Sequence, residues 1–399
     1  MRVATPATSR LLIIILASIT ALGPMSMQIF LPALPAIQDA FTVTPARAQL
    51  VLSSSLIAIA ISSLAYGPAS DRFGRRPVLV VGLTIFLVGS VICALSSSIW
   101  ILILGRVVQA IGGAAGMVLS RAIIRDLYDR ETAARMLAYM VTALVLAPMV
   151  APLIGGILND MKGWRAIFWF TGIAGMAALA LAYPRVPETL TQPVRDQSLG
   201  GMLLSFISLL RIPAFLGYAG QLSFGLGMFM AFIGGAPFVV VRVLERSTTE
   251  LGILLLIISA GFMAGTFITA RMAGRVGVDR MILFGSGLAV AFGLLMVVLV
   301  LAGEWTVWAI FLPGTGMAFA NGLIMPNAQA AAVSVNPRIA GSASGLMSFM
   351  QMSTGAVFAQ AVGIVQNGTP IPMVIVMTIA AVLGFVSILL LPRMGRHRS

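Results

Sequence analysis

Gly67-Pro68-Ala69-Ser70-Asp71-Arg72-Phe73-Gly74-Arg75-Arg76-Pro77 is a short charged stretch between two long apolar runs. Gly67, Pro68, Gly74 and Pro77 are residues that turn a chain and end helices. The spacing therefore predicts a tight loop with a helix closing on each side. Asp71 stands among Arg72, Arg75 and Arg76 where almost everything nearby is apolar. Such charges persist where they pair with one another and reach water, which places the loop at a membrane surface.

The whole chain agrees. It has 399 residues, 59% of them hydrophobic and 9% charged, whereas soluble domains carry about 25% charged residues. That much apolar side chain cannot be hidden in a soluble core, so the bilayer is the solvent. A span takes about 20 residues, and with short loops the length allows about twelve. Apolar runs predict helices near 11–34, 46–68, 76–97, 99–123, 133–158 and 165–184, then 212–241, 249–271, 279–302, 304–328, 338–365 and 370–392. Between the two sets lies one long connection, Arg185–Arg211, which reads as polar and contains Pro187-Glu188-Thr189-Leu190. The expected organisation is an N-terminal bundle over 1–184, a cytoplasmic linker over 185–211 and a C-terminal bundle over 212–399.

The net charge is +13, yet its distribution argues against nucleic acid. Arg2, Arg10, Arg72, Arg75, Arg76, Arg125, Arg130, Arg135, Arg185, Arg195, Arg211, Arg271, Arg275, Arg280, Arg338, Arg393, Arg396 and Arg398 fall in gaps on one side. Arg47, Lys162, Arg165, Arg242 and Arg246 fall on the other. The richer side marks the cytoplasm and puts both termini inside. Arg2 and Arg10 before Leu11–Leu16 could open a signal peptide; the apolar stretch continues past Met25 without a convincing cleavage site, which favours an uncleaved first helix. A single cysteine, Cys93, excludes an internal disulfide, and a single histidine, His397, excludes a histidine-based metal site. Cys93 reads as helix packing. No metal or cofactor is expected.

An internal repeat supports two halves. Asp71-Arg72-Phe73-Gly74, with Gly82 beyond it, aligns with Gly274-Arg275-Val276-Gly277 and Gly285. Leu31-Pro32 sits at nearly the same offset from Ala236-Pro237. The second loop lacks the aspartate, so the two loops are expected to differ electrostatically.

Arg106 is the one full charge well inside an apolar run. On a lipid face it would cost from about 2.5 to over 10 kcal/mol, so it must face a wet cavity or a partner. Gln109, three residues on, shares its helix face. Gly112 and Gly116 form a small-residue edge for close packing. Pro148 and Pro152, four apart, predict a kinked helix. Gly163-Trp164-Arg165 with Phe168-Trp169 reads as an interfacial anchor. In the first run, Met25 and Gln28 share a face, and Phe30 follows. Gln28 is an amide and does not titrate. Every acid sits near a helix end, so the centre of the membrane holds no carboxylate and should be mildly positive. Met25, Phe30, Tyr66, Met117, Gln221, Phe224, Met228, Phe232, Asn321, Met347 and Gln351 are candidate cavity-wall residues, since methionine and aromatic side chains make adaptable apolar surfaces that suit varied ligands.

The order G-P-x-S-D-R-F-G-R-R-P resembles the signature loop between helices 2 and 3 of the major facilitator superfamily. Leu104–Gly113 resembles that superfamily's R-x-x-Q-G-x-G pattern, with Ala110 in place of the usual glycine. Ala147–Gly156 resembles the antiporter motif of its drug exporters. Met25–Ile37, Arg121–Tyr128, Pro187–Leu190 and Gly234–Pro237 resemble the bicyclomycin- and chloramphenicol-resistance (Bcr/CflA) exporters. The resemblance implies an all-α membrane protein of twelve transmembrane helices in two pseudo-symmetric six-helix bundles. It implies a cytoplasmic latch of Asp71, Arg72, Arg75 and Asp126, and a helix with Pro148 and Pro152 that rocks. It further implies a monomeric secondary exporter of drug-like small molecules in the bacterial inner membrane, working by alternating access with protons as the coupling ion. In many members of that group an acid stands where this chain has Gln28, so another coupling arrangement stays open. So does a substrate-specific exporter of a polar or anionic metabolite or peptide. Within the resemblance, Met25, Gln28, Phe30, Arg106, Gln109, Gln221, Phe224, Met228, Asn321 and Gln351 are the substrate-binding candidates. An enzyme is not expected: no nucleophile–base set lies at depth. A receptor or scaffold lacks a domain to signal with.

Overall fold

The computed structural model describes residues 6–190, 199–336 and 339–390. Arg2, Arg195, Arg338, Arg393, Arg396 and Arg398, used above for sidedness, and His397 lie outside them. The chain divides into two compact units, Met1–Gln197 with Ser247–Gly252, and Ser198–Arg246 with Ile253–Ser399. The first contains α1 (Pro6–Gln28), a 3-10 turn (Leu31–Ala33), α2 (Leu34–Ala40), α3 (Pro45–Phe73), α4 (Arg75–Ala94), α5 (Ile99–Leu127), α6 (Arg130–Lys162) and α7 (Arg165–Arg185). The second contains α8 (Leu199–Leu210), α9 (Pro213–Phe238) with a π turn (Val239–Val243), α10 (Thr248–Val276), whose first residues belong to the first unit, α11 (Val278–Leu301), α12 (Val307–Ser334), α13 (Ala340–Val365) and α14 (Ile371–Leu389). Among the described residues, 12 helices are long and apolar enough to cross a membrane. The protein is a multi-pass, all-helical membrane protein.

Lipid offers the backbone no hydrogen bonds, so each span must satisfy its own. Several helix starts are capped by side chains: Thr44 accepts from the Arg47 amide, Ser98 from Ile101, Asp129 from Glu131 and Thr132, and Thr306 from Ala309. These caps satisfy amides that have no partner in the first turn. Within the spans, the hydroxyls of Thr20, Ser55, Ser62, Ser90 and Thr378 donate to the carbonyl four residues back, which is how a hydroxyl is accommodated in an apolar helix.

Three boundaries differ most from the sequence expectation, and the first is the charged stretch 67–77 itself: α3 runs on through Gly67 and Pro68 to Phe73 and α4 starts at Arg75, so the expected loop is reduced to Gly74. The first span does not run unbroken from 11 to 34: α1 stops at Gln28 and the chain tightens through Leu31–Ala33. Pro32 and Pro35 lack the amides that would extend the helical ladder. The connection 185–211 is not polar throughout, because Leu199–Leu210 forms an apolar helix. Leu209 of α8 is buried with Phe215, Leu222, Ile324 and Met347 of the second unit. A scan for runs of span length passes over a helix of 12 residues.

The repeat is visible in the backbone. α3 and α10 are each 29 residues long. Each ends at a glycine of the same unusual conformation, Gly74 at φ 100°, ψ 148° and Gly277 at φ 93°, ψ 144°. Such a φ favours glycine, and it lets the next helix begin one residue later. The first span of each half is deformed beside its proline, Pro32 or Pro237.

Close helix approaches hold the first unit together. The small-residue edge of α5 serves two neighbours: Gly112 lies against Phe86 and Gly82 of α4, Gly116 against Ile19 of α1. The tightest of these approaches is α6 on Ile29, the residue just after α1. A Cβ on Gly155 would fall 1.6 Å from the Ile29 carbonyl oxygen, a backbone atom that cannot swing aside. Gly155→Ala is therefore expected to destabilise the protein by about 3 kcal/mol or more. Gly67→Ala, in α3 with nothing within 4 Å of its Cβ position, should stabilise by up to about 1 kcal/mol. Thermal unfolding of the detergent-solubilised protein measures both; an unshifted midpoint for Gly155→Ala contradicts the packing argument.

Candidate functional site

The break after α1 builds a site for Arg106. The last carbonyls of a helix have no partner within it. Met25 O accepts from the Ile29 amide at 2.9 Å. Ser26 O accepts from Arg106 Nη1 on α5 at 3.1 Å. The guanidinium thus rests at a helix C-terminus, equivalent to about half a negative charge, which can stabilise a partly buried cation by up to about 2 kcal/mol. Arg106 also donates to Gln109 Oε1 and, through Nη2, to Met27 Sδ at 3.4 Å. Its carbon centre lies 4.2 Å from the Phe30 ring centroid, a cation–π contact that contributes about 2 kcal/mol when desolvated. Phe30 in turn stacks on Phe168 of α7 at 6.3 Å.

Gln109 is the hinge of this network. Its Oε1 takes the Arg106 hydrogen bond, while Nε2 donates to Ser90 Oγ of α4 at 2.8 Å and Thr171 Oγ1 of α7 at 3.2 Å. Those hydroxyls donate to Phe86 O and Phe168 O in their own helices. Four helices therefore meet through one amide and one guanidinium. No carboxylate pairs with Arg106 among the described residues. Arg106 Nε alone has no partner.

The either-or posed by the sequence is resolved toward partners. Arg106 is 1% exposed, so protein groups, not a wet cavity, take its hydrogen bonds. The amide it meets is Gln109, and Gln28 is not among its ligands. Met25 and Gln28 are half-buried, and Phe30 is buried. Ser26, Met27, Ser90 and Thr171 were not among the sequence candidates. The signal for Ser90 and Thr171 was there, as hydroxyls within apolar runs one of which must satisfy Gln109.

At the end of α3 the expected charge cluster is formed. Arg75 pairs with Asp71 and donates from Nε to Asp126 Oδ2 at 3.0 Å and from Nη1 to Ser70 Oγ at 2.6 Å. Arg72 is not part of it; its guanidinium lies over Phe73, 5.3 Å from the ring centroid. Pro148 is half-buried and Pro152 buried within α6, which stays helical past both. Trp164 is 6% exposed and packs on Phe41 and Phe168, so it belongs to the core and not to a lipid interface. Trp169 is exposed. Just outside the spans, the Thr132 hydrogen bonds hold the Asp129 carboxyl below its usual range, in keeping with its cap role.

In the second unit the candidates turn toward different neighbours. Gln221 of α9 is buried against Gly384 of α14, Phe224 meets Phe358 of α13 edge-on at 6.1 Å, and Asn321 of α12 donates to Gly225 O of α9 at 3.3 Å. Gln221 Oε1 and Asn321 Oδ1 have no partner. Met228 is buried, Gln351 half-buried. Phe232 packs edge-on against Phe311 at 5.4 Å, and Met347 lies in the apolar core with Leu209. Tyr66 is buried and Met117 half-buried in the first unit.

Comparison with known proteins gives the class. The family model described as Major Facilitator Superfamily matches residues 16–360. The chain is 31% identical over 352 residues to Multidrug resistance protein D of Escherichia coli, covering 87% of each, and 27% identical over 371 residues to the Bicyclomycin resistance protein homolog of Haemophilus influenzae, covering 92% of each. Its fold matches the solved bacterial homolog of the human lysosomal transporter Spinster with a TM-score of 0.76 at 17% identity, over 97% of this chain and 98% of that one. The chain belongs to the major facilitator superfamily. It is a membrane transporter and not an enzyme.

Gln109→Leu removes an acceptor from Arg106 and a donor from two hydroxyls, and should cost about 1–3 kcal/mol. Phe30→Leu keeps apolar volume but removes the ring face, with an expected loss of about 1–2 kcal/mol. The paired variant should lose less than the sum, because both act on one guanidinium. A double-mutant cycle of unfolding midpoints checks this; strict additivity would separate the two contacts.

Proposed function

We propose that the protein exports drug-like small molecules by alternating access, and that its preference runs toward neutral, zwitterionic and anionic compounds. The observation that carries the preference is Arg106, buried with a helix end, an amide and an aromatic ring for company but no carboxylate among the described residues. A helix terminus offsets about half a unit charge. The remaining half, felt about 8 Å away at an effective dielectric of about 20, disfavours a cation by about 1 kcal/mol. That is about a fivefold bias in affinity against a cation, and the same in favour of an anion. The names of the relatives, multidrug and bicyclomycin resistance, support export of antibiotics as the first class to test. The arginine distribution supports an inner-membrane setting with cytoplasmic termini, and nothing in the reading requires more than a monomer.

Proton antiport is part of this proposal. Gln28 does not titrate, so the proton is carried by a helix-end acid or by the substrate. Transport that is independent of pH in proteoliposomes points instead to uniport or another ion. The narrower reading, one polar or anionic metabolite as substrate, is favoured by the same buried guanidinium and predicts a single hit in a broad panel.

An exporter-deficient strain expressing the chain should gain resistance to chloramphenicol and little or none to the cationic dye ethidium. Strong ethidium export that requires Arg106 contradicts the electrostatic argument. Gln28→Asp should add export of the dye at neutral pH. The gain should fade as pH drops and the new carboxylate is protonated; a pH-independent gain would mean that charge at this position is not the cause.

A further inference from the structure

Glu188 lies outside the helices, two residues after the buried Val186, in the segment that leaves α7. Its carboxylate reaches across the chain to the start of α4. Oε1 accepts from the Arg75 amide at 3.0 Å and Oε2 from the Arg76 amide at 3.2 Å. Oε1 also accepts from the amides of Thr189 and Leu190, each at 2.9 Å. The first-turn amides of α4 need such an acceptor, because Gly74 in the capping position has no side chain. The neighbours of Glu188 reinforce the contact. Thr189 Oγ1 donates to Asp126 Oδ2 at 3.2 Å, and Arg76 Nη2 donates to Tyr183 O at 2.8 Å while its guanidinium faces the Tyr183 ring.

Gly74 has a second reason to be glycine here. A Cβ at that position would fall 2.5 Å from Glu188 Oε2. The equivalent Gly277, with nearly the same backbone angles, has nothing within 4 Å. There the carboxylate of Asp279 accepts from Tyr218 OH at 2.7 Å.

We propose that Pro187–Leu190 is a strap, fastened by Glu188 to the first turn of α4, that positions the Asp71–Arg75–Asp126 cluster, a contact with no counterpart at Gly277 among the described residues. Glu188 is a positioning residue: it holds the Arg75 and Arg76 backbone, while Asp71 and Asp126 hold the Arg75 side chain. This is independent of which substrate is carried and of the coupling ion.

Hydrogen–deuterium exchange of the full-length protein in nanodiscs, followed on a peptide covering residues 70–79 so that the Arg75 and Arg76 amides lie in its interior, tests the strap. Glu188→Ala should speed exchange of the Arg75 and Arg76 amides about fivefold or more, the effect of losing an N-cap. Glu188→Gln, which keeps one acceptor in place, should restore protection in part. Gly74→Ala should reproduce the Glu188→Ala exchange by displacing the carboxylate. Asp126→Asn, which alters the Arg75 pair and the Thr189 hydroxyl contact but leaves the Glu188 carboxylate on the backbone, should leave these two amides protected. Peptides from α11 should be unchanged throughout. Wild-type exchange in Glu188→Ala overturns the proposal. So does equal acceleration in Asp126→Asn, because the cluster and not Glu188 would then be holding the turn. If Glu188→Ala does not fold, Glu188→Gln decides alone: exchange as slow as wild type overturns the strap.

Discussion

A guanidinium inside a helical bundle has to be given hydrogen bonds, and in lipid only the protein can give them. Arg106 receives them because α1 ends early. α1 stops at Gln28, the Ser26 carbonyl of its last turn takes the guanidinium, and the helix end brings partial negative charge where no carboxylate stands among the described residues. The same interruption sets Phe30 over the cation and Met27 beside it. The contact of α6 with α1 at Gly155 and Ile29 seals the break from the other side. Arg106 and the end of α1 therefore act together: the last-turn Ser26 carbonyl takes the guanidinium, and an apolar residue at 106 would remove that donor.

Gln109 extends that device outward. A single amide joins α4, α5 and α7 because it can give and take at once, accepting from the arginine and donating to two hydroxyls. Buried polar networks of this kind are costly when broken and specific when whole. This one sits in an otherwise apolar bundle whose close helix approaches come from glycine, so the polar contacts, not shape alone, decide how α1, α4, α5 and α7 are rotated about their axes.

The two halves share a backbone pattern and differ in charge. Gly74 and Gly277 turn the chain alike. Around Gly74 gather Asp71, Arg75, Asp126 and Glu188; beside Gly277, Asp279 is bound to Tyr218. A repeated fold with unrepeated side chains is what lets one copy carry a device that the other lacks.

Sequence alone determined the class. The share of apolar residues, the spacing of the runs, the arginine-rich gaps and the order of residues from Gly67 to Pro77 led to twelve spans and to the family, because membrane insertion leaves a one-dimensional record of length and charge. The pairing of Asp71, Arg75 and Asp126 was legible through resemblance, and the repeat through two glycines at a common offset. Tertiary structure decided the rest. That Arg106 is enclosed and not wet, that its amide is Gln109 and not Gln28, that Gly112 and Gly116 serve different helices, and that Glu188 returns to α4 all depend on contacts between residues far apart in the chain. Hydrophobic periodicity says that a residue faces inward; which helix it then meets follows from how the bundle is packed.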